Sequence, residues 1–175
     1  MLSLIEPYRM SRILLHVLMF SGIVLAADNI SAPPPRMADR ILIEKSAHKM
    51  TLMSGGEVLK TYQVALGNPK GAKSKEGDRA TPEGEYLIDS KNDHSRFHRA
   101  LHISYPNAAD RERAKKLGIK PGGDVEIHGL PKKYAWLGFL QHYKDWTAGC
   151  VALSNSEIDE IWPLVAVGTK VEIKP

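Results

Sequence analysis

One cysteine and the glycine before it could form the centre of a nucleophilic site. Cys150 is the only cysteine of the chain, and it ends the segment Thr147-Ala148-Gly149-Cys150. A thiol becomes a nucleophile near neutral pH when a base or a cation lies beside it. Gly149 allows a close approach of the backbone, which an oxyanion-binding turn requires. These residue types indicate acyl transfer through a covalent intermediate.

Histidine is the residue type that could activate this thiol, and the chain has seven. His128 is the best candidate because it ends an apparent strand, precedes Gly129 and is followed by a loop that leads to the cysteine. His142 is the alternative because it is close to Cys150 in the sequence, although it could equally be an exposed loop residue. An imidazole titrates near neutral pH and can accept the proton of an attacking thiol.

Three other histidines, His94, His98 and His102, recur every four residues. On a helix this spacing would resemble a metal-binding stripe. However, His102 lies in an apparent strand, and Tyr105-Pro106 argues against a continuous helix. A zinc site also needs a fuller set of ligands, and a catalytic zinc would not explain the cysteine. We therefore expect neither a metal nor a cofactor.

The first 27 residues have the order of a secretory signal peptide. Arg9 and Arg12 precede an apolar run, residues 13–26, which ends in small residues. The run is short for a membrane span, which needs about 20 residues, so an uncleaved anchor is the less favoured alternative. Translation could instead begin at Met10. Export makes the lone cysteine informative, because structural cysteines of exported proteins normally have disulfide partners.

The rest of the chain is expected to form one domain. A proline-rich linker, residues 28–38, precedes a region, residues 39–174, that is long enough for one hydrophobic core and too short for two. The net charge of +4 is mild, and the basic residues are scattered. Nucleic-acid binding therefore has little support, whereas a mild positive surplus suits an anionic cell envelope.

Alternation of apolar and polar residues favours strands over most of this domain. The predicted strands cover residues 41–45, 50–53, 58–66, 85–89, 101–105, 124–128 and 168–173. One helix is predicted at residues 107–117, ending at Gly118, and another begins near Ser154, where a capping box occurs. This pattern predicts a mainly β, β-sandwich-like fold with two or more short peripheral helices.

Two segments carry a family resemblance. Ile127-His128-Gly129, a loop, and then Thr147-Ala148-Gly149-Cys150-Val151 resemble the signature of the YkuD-type L,D-transpeptidases. Other segments resemble further family motifs, namely Gly-Asp at 77–78, Thr-Pro-Glu-Gly-Glu-Tyr at 81–86, and residues 104–107, 122–123 and 168–171. The resemblance therefore covers nearly all of residues 39–173.

The resemblance implies an enzyme of the cell envelope or periplasm that acts on peptidoglycan stem peptides, in cell-wall biogenesis and cell shape. Cys150 would attack the carbonyl of an L-configured centre, His128 would be its general base, and a thioester would form. Gly149, Thr147 and Gly129 would bind the oxyanion or the substrate, although Thr147 could equally brace its turn. An amine of a second stem peptide, or of an envelope protein, would resolve the thioester.

Two positions depart from the common family pattern. Ala148 stands where many members have histidine, and Ala152 stands where many have an arginine that can meet a substrate carboxylate. Lys132, Lys133 or Arg96 are candidate replacements for that arginine. The family includes enzymes with this arginine-less pattern that hydrolyse cross-links or a protein–peptidoglycan link. Hydrolysis is therefore an alternative to transpeptidation.

Two further classes of function stay open. A non-catalytic module that binds stem peptides is one, although the intact cysteine and histidine argue against it. A thiol redox protein is poorly supported, since a resolving cysteine is missing. The loop between the two motifs is rich in aromatic residues, namely Tyr134, Trp136, Phe139, Tyr143 and Trp146. We expect this loop to be either a lid over the substrate cleft or a loop packed on its own domain.

Overall fold

Strands make up most of the regular structure in the computed structural model, which describes residues 35–68 and 71–175. The predicted signal peptide lies outside the described residues. The strands are β1 (Ala38–Glu44), β2 (Lys49–Ser54), β3 (Glu57–Gln63), β4 (Gly84–Ser95), β5 (His98–Ile103), β6 (Glu126–His128), β7 (Val151–Ala152) and β8 (Val165–Lys174). The helices are α1 (Ala108–Leu117) and α2 (Asn155–Ile161), and a 3₁₀ segment with a kink at Gly138 covers Lys132–Tyr143.

The eight strands form one sheet in the order β3-β2-β1-β8-β4-β5-β6-β7. Neighbouring strands are antiparallel except for the pairs β1–β8 and β6–β7, which are parallel. Leu52 near one end of the sheet and Val151 at the other belong to the same buried cluster, together with Ile158 and Ile161 of α2. The sheet therefore curls around one core. This confirms the prediction of a mainly β domain with short peripheral helices.

The predicted caps, Gly118 at the end of α1 and Ser154 at the start of α2, are present. The Asn107 side chain accepts a hydrogen bond from the backbone N–H of Asp110 at 3.0 Å, and α1 ends at Gly118 in the left-handed conformation. Ser154 and Glu157 form the capping box of α2. These contacts satisfy N–H groups that have no partner within a helix, and they fix where each helix starts.

Two parts of the sheet differ from the sequence prediction. β4 continues to Ser95, well past the predicted end at residue 89, because its polar outer half is held by pairing with β5 rather than by burial. The predicted strand at residues 58–66 ends at Gln63, after which Ala65 makes an isolated bridge to Ala152 of β7. Neither β7 nor the 3₁₀ segment was predicted.

Among residues 35–68 and 71–175, no helix is both long enough and apolar enough to cross a bilayer.

Candidate active site

The pairing of β6 with β7 brings the two predicted catalytic residues together. His128 lies opposite Ala152 in this parallel pair, and Ile127 lies opposite Val151. The same register, continued back by one residue, sets Cys150 opposite Glu126. Side chains alternate between the two faces of a strand. Cys150, Glu126 and His128 therefore lie on one face, at one end of the sheet.

The turn that presents Cys150 is braced by a buried hydroxyl. Thr147 Oγ1 accepts a hydrogen bond from the Gly149 N–H at 3.2 Å and donates one to the Cys150 carbonyl oxygen at 2.8 Å. Gly149 has φ of +122°, and a Cβ there would lie 2.8 Å from the carbonyl oxygen of Ala80. Only glycine fits this position without strain.

A second glycine lies against the same turn. A Cβ on Gly67 would lie 2.1 Å from the carbonyl oxygen of Arg79 and 2.7 Å from the backbone nitrogen of Gly149. Gly67 therefore lets two loops approach each other at the turn that carries Cys150. No spacing signal in the sequence could have revealed a contact between segments so far apart.

The orientation of His128 is fixed from three sides. Its side chain is buried, its Nδ1 lies 2.7 Å from the carbonyl oxygen of Gly129, and its ring stacks on Phe97 with a centroid separation of 4.3 Å. Trp146 meets the ring edge-on at 5.8 Å. Because a carbonyl can only accept, Nδ1 carries the proton in this hydrogen bond. The lone pair of the neutral ring is therefore on Nε2, where a base needs it.

Trp146 is itself held by a buried amide. The indole N–H donates to Gln141 Oε1 at 3.0 Å, and Gln141 Nε2 donates to the carbonyl oxygen of Ala152 at 3.2 Å. Gln141 thus ties the 3₁₀ segment to β7 and supports the ring that contacts His128. Four of the predicted lid residues are exposed, namely Tyr134, Trp136, Phe139 and Tyr143.

The thiol of Cys150 is protonated at rest. Its Sγ lies 3.5 Å from the carbonyl oxygen of Asp124. Burial raises the pKa of Cys150 to about 11, and the carboxylates of Glu126 and Asp124 add to this rise, whereas the Glu126 N–H and the Lys73 ammonium oppose it. Burial also lowers the pKa of His128. The resting site therefore holds a neutral thiol and a neutral imidazole.

Within the described residues, no hydrogen bond joins the Cys150 thiol to the His128 ring. Catalytic hydrogen bonds are often long before substrate binds and shorten in the reacting complex. The arrangement can thus transfer the thiol proton to Nε2 as an acyl group arrives.

The loop that covers residues 71–83 is fixed beside the turn by two buried lysines. Lys45 Nζ lies 2.7 Å from Glu83 Oε1 and 2.7 Å from the carbonyl oxygen of Gly71. Lys73 Nζ lies 2.9 Å from Asp78 Oδ1. Burial opposes ionisation of Asp78, but backbone N–H groups and the Lys73 ammonium outweigh it and hold the pKa of this carboxyl well below its usual range.

Two of the predicted oxyanion donors are already engaged. The Gly129 N–H donates to the carbonyl oxygen of Arg99 at 3.2 Å, and the Gly149 N–H donates to Thr147. Gly129 also lies tightly against α2, since a Cβ there would be 2.6 Å from Asn155 Oδ1. Among residues 35–68 and 71–175, the Cys150 N–H has no hydrogen-bond acceptor. That group is a backbone donor left for an oxyanion.

The other histidines lie at separate places. His142 Nε2 lies 3.4 Å from Glu157 Oε2 on α2, so its contact is with the helix and not with the thiol. His98 and His102 are each paired with an aspartate, and His94 is exposed. In the part of the chain that the structure describes, no group of three or more His, Cys, Asp or Glu side chains is arranged to hold a metal ion.

The whole of this domain matches one family model. Residues 38–173 match the model described as the YkuD L,D-transpeptidase catalytic domain. The chain belongs to the YkuD family of L,D-transpeptidase catalytic domains. The match confirms the resemblance inferred from the two motifs, and it begins at the first residue of β1.

Individual relatives of this family agree with the match. One relative is YafK, a curated protein of Escherichia coli (strain K12) whose name gives L,D-transpeptidase as a provisional activity. It is 30% identical to this chain over 112 residues, which are 62% of this chain and 38% of the relative. The structure of Pgp2, a helical cell shape determining protein of Campylobacter jejuni, is 25% identical with a TM-score of 0.61, over 78% of this chain and 47% of that one.

The fold extends to more distant members. An L,D-transpeptidase from Mycobacterium smegmatis has the same fold at 20% identity and a TM-score of 0.54, over 79% of this chain and 59% of that one. The chain therefore spans less than two thirds of the length of each of these three relatives.

Proposed function

We propose that this YkuD-family domain is a cysteine-dependent L,D-transpeptidase that acts on peptidoglycan stem peptides. One observation carries the proposal: the β6–β7 pair sets Cys150 on the same face as His128, whose Nδ1–H is held by the Gly129 carbonyl so that Nε2 is free to accept a proton. This is the spatial arrangement that a thiol nucleophile and its general base need.

The proposed reaction has two steps. In the first, the thiol proton of Cys150 passes to His128 Nε2 as Sγ attacks the carbonyl of the L-configured centre. The C–N bond to the terminal D-residue breaks, the departing amine takes the proton from His128, and a thioester remains. In the second step, an amine attacks the thioester, gives up its proton through His128, and the thiol is restored.

The neutral resting pair fits this sequence of proton transfers. The Cys150 N–H is the backbone group available to bind the oxyanion of the tetrahedral intermediate, and one such donor contributes about 3 kcal/mol. Because the pKa of His128 is lowered by burial, the imidazole stays in its basic form down to pH values below the ordinary range for histidine. The thiol can therefore be activated at neutral pH even though it is not a thiolate at rest.

The cellular setting follows from the sequence and from the relatives. The signal peptide predicted at residues 1–27 supports export, which would place the domain in the periplasm or cell envelope beside its proposed substrate. Pgp2 is a determinant of helical cell shape, and we extend a role in cell-wall maturation and cell shape to this chain. An envelope protein could serve as acyl acceptor or as leaving group.

Hydrolysis by the same residues is the second candidate. Residue 152 of β7 is a buried alanine. The site therefore lacks the arginine that many family members have at that position. Members without it include hydrolases of cross-links, in which water takes the place of the amine in the second step. Binding of stem peptides without turnover is the remaining alternative.

Product analysis separates these three functions. The purified protein would be incubated with a muropeptide that has a tetrapeptide stem and with one that has a 3–3 cross-link, beside a Cys150→Ala control. We expect a new cross-linked dimer or exchange of the terminal D-residue, both absent in the control. Cleavage alone, again absent in the control, would make the domain a hydrolase. Equal product traces from both proteins would reject Cys150 as the nucleophile.

A further inference from the structure

An arginine lies beside the base on a stack of planar groups. Arg96 is exposed at the turn between β4 and β5, and its guanidinium carbon lies 4.8 Å from the centre of the Phe97 ring. Phe97 in turn stacks on His128 at 4.3 Å. The guanidinium therefore lies within about 9 Å of the imidazole centre, which is the largest value that these two separations allow.

The charge of this arginine reaches the catalytic groups. After burial, the positive field of Arg96 contributes to the lowered pKa of His128, and it opposes the rise that burial gives to the pKa of Glu126. Arg96 is thus an exposed cation on the Phe97 side of the His128 ring.

Three other cations near the site are already engaged. Lys73 is paired with a carboxylate of its own loop at 2.9 Å, and Arg79 donates to two carbonyls of the nucleophile turn at 3.1 and 3.3 Å. Arg99 is paired with a carboxylate of α2 at 2.9 Å. Arg96, by contrast, has neither a hydrogen bond nor an ion pair to any part of the chain that the structure describes. Its guanidinium donors are therefore free for a ligand.

We propose that Arg96 binds the α-carboxylate of the D-residue that leaves in the first step; this rests on the proposed function. His128 must protonate the departing amine, so that nitrogen has to lie close to Nε2. In an amino acid the α-carboxylate is separated from the nitrogen by one carbon, a distance of about 2.5 Å. A carboxylate so placed, on the Phe97 side of the imidazole, comes within reach of the long arginine side chain.

The chemistry of the guanidinium suits this ligand. Its planar fork donates two parallel hydrogen bonds to a carboxylate, and stacking on Phe97 reduces the freedom that the side chain loses on binding. We therefore expect the protein to prefer acyl donors that end in a free α-carboxylate one residue beyond the scissile bond. Donors that are amidated or extended at that residue would lose this contact.

Binding to an inactivated enzyme tests the subsite directly. The probes are a stem tetrapeptide with a free terminal carboxylate and the same peptide with a terminal amide, titrated calorimetrically into Cys150→Ala protein. We expect the carboxylate form to bind about tenfold more tightly, in keeping with a charge-assisted bidentate contact. In Cys150→Ala/Arg96→Met protein, which keeps the aliphatic stem over Phe97, we expect the two peptides to bind equally.

Two controls define the role of the fork and of the site. Compared with Arg96→Met, the Arg96→Lys protein should keep part of the preference for the carboxylate peptide over the amide peptide, since lysine has the charge without the planar fork. Arg40→Met removes an exposed arginine of β1, four strands away from β6 in the sheet, and should leave the full preference. An unchanged preference in the Arg96→Met protein, or no preference in its Cys150→Ala parent, would overturn the proposal.

Turnover by protein with Cys150 intact separates this inference from the proposed function. With the carboxylate substrate, Arg96→Met should raise KM about tenfold, and with the amide it should leave kcat/KM unchanged. If the ratio of kcat/KM for the carboxylate substrate to kcat/KM for the amide substrate is the same in both proteins, the subsite is rejected and the proposed transpeptidase function stands. An Arg96-dependent binding preference without any cysteine-dependent turnover would keep the subsite and reject the transpeptidase.

Discussion

At the scale of single residues, the site depends on two glycines and one histidine whose roles differ in how far the sequence reveals them. Gly149 and His128 belong to the motifs that the sequence analysis identified. Gly67 belongs to neither motif. It matters because a Cβ at this position would clash with the backbone of another loop. Local pattern can indicate which residues react, but close contacts between distant segments appear only in the fold.

Replacing Gly67 with alanine should disable the enzyme. The new Cβ would lie 2.1 Å from one backbone atom of a neighbouring loop and 2.7 Å from the Gly149 nitrogen, so the nucleophile turn has to move. A displacement of about 1 Å can cost about 100-fold in rate, and we expect a loss of that size in kcat/KM. Gly123→Ala is the matched control, since its Cβ would enter open space. Full activity of the Gly67→Ala protein would contradict this account of the turn.

The protonation state of Cys150 gives a second prediction at this scale. Since burial raises the pKa of the thiol to about 11, the thiolate fraction of the substrate-free protein should still be increasing above pH 9. The rate of alkylation by iodoacetamide, measured by mass spectrometry against pH, should therefore rise without a plateau between pH 6 and about 10. A plateau near pH 7 would instead indicate a thiolate–imidazolium pair and would contradict the neutral resting state.

At the scale of elements, the short β7 strand and the loop at residues 71–83 determine how the reactive groups meet. A strand of two residues, Val151–Ala152, has too little periodicity to be recognised in a sequence. The hairpin that carries Arg96 and Phe97 was missed for a related reason, because the outer half of β4 is polar and exposed. The longer buried strands and both helix caps were predictable, since alternation and capping are local signals.

The buried Lys45, which directly follows β1, should be a main anchor of the 71–83 loop. Replacing Lys45 with methionine would leave the Glu83 carboxylate and the Gly71 carbonyl without their shared donor. Breaking one side of a buried pair typically costs about 3 kcal/mol, and we expect a loss of that size in the free energy of unfolding, measured by chemical denaturation. Lys49→Met is the control, because Lys49 pairs with Glu44 in a more exposed position, and such pairs contribute up to about 1 kcal/mol. Equal losses in both variants would reject the anchor.

At the scale of the whole molecule, a single curled sheet joins segments that are far apart in the chain into one site. The proposed nucleophile directly precedes β7, and its proposed base ends the neighbouring strand β6. The loop that supports the turn is anchored by Lys45, which directly follows β1. The mainly β fold and the family could be predicted because motifs occur along nearly the entire domain. The free arginine beside the base could not be selected from three candidate cations until the fold placed it on Phe97.

The central claim is that Cys150 forms a thioester with a stem peptide, and intact-protein mass spectrometry tests it most directly. The protein would be mixed with the tetrapeptide substrate, quenched in acid after short times and weighed, beside Cys150→Ala. We predict an adduct with the mass of the tetrapeptide acyl group without its terminal D-residue, located on Cys150 by peptide mapping, removed by hydroxylamine and absent from the variant. Product formation without any such adduct, or an adduct that persists in Cys150→Ala, would contradict the account.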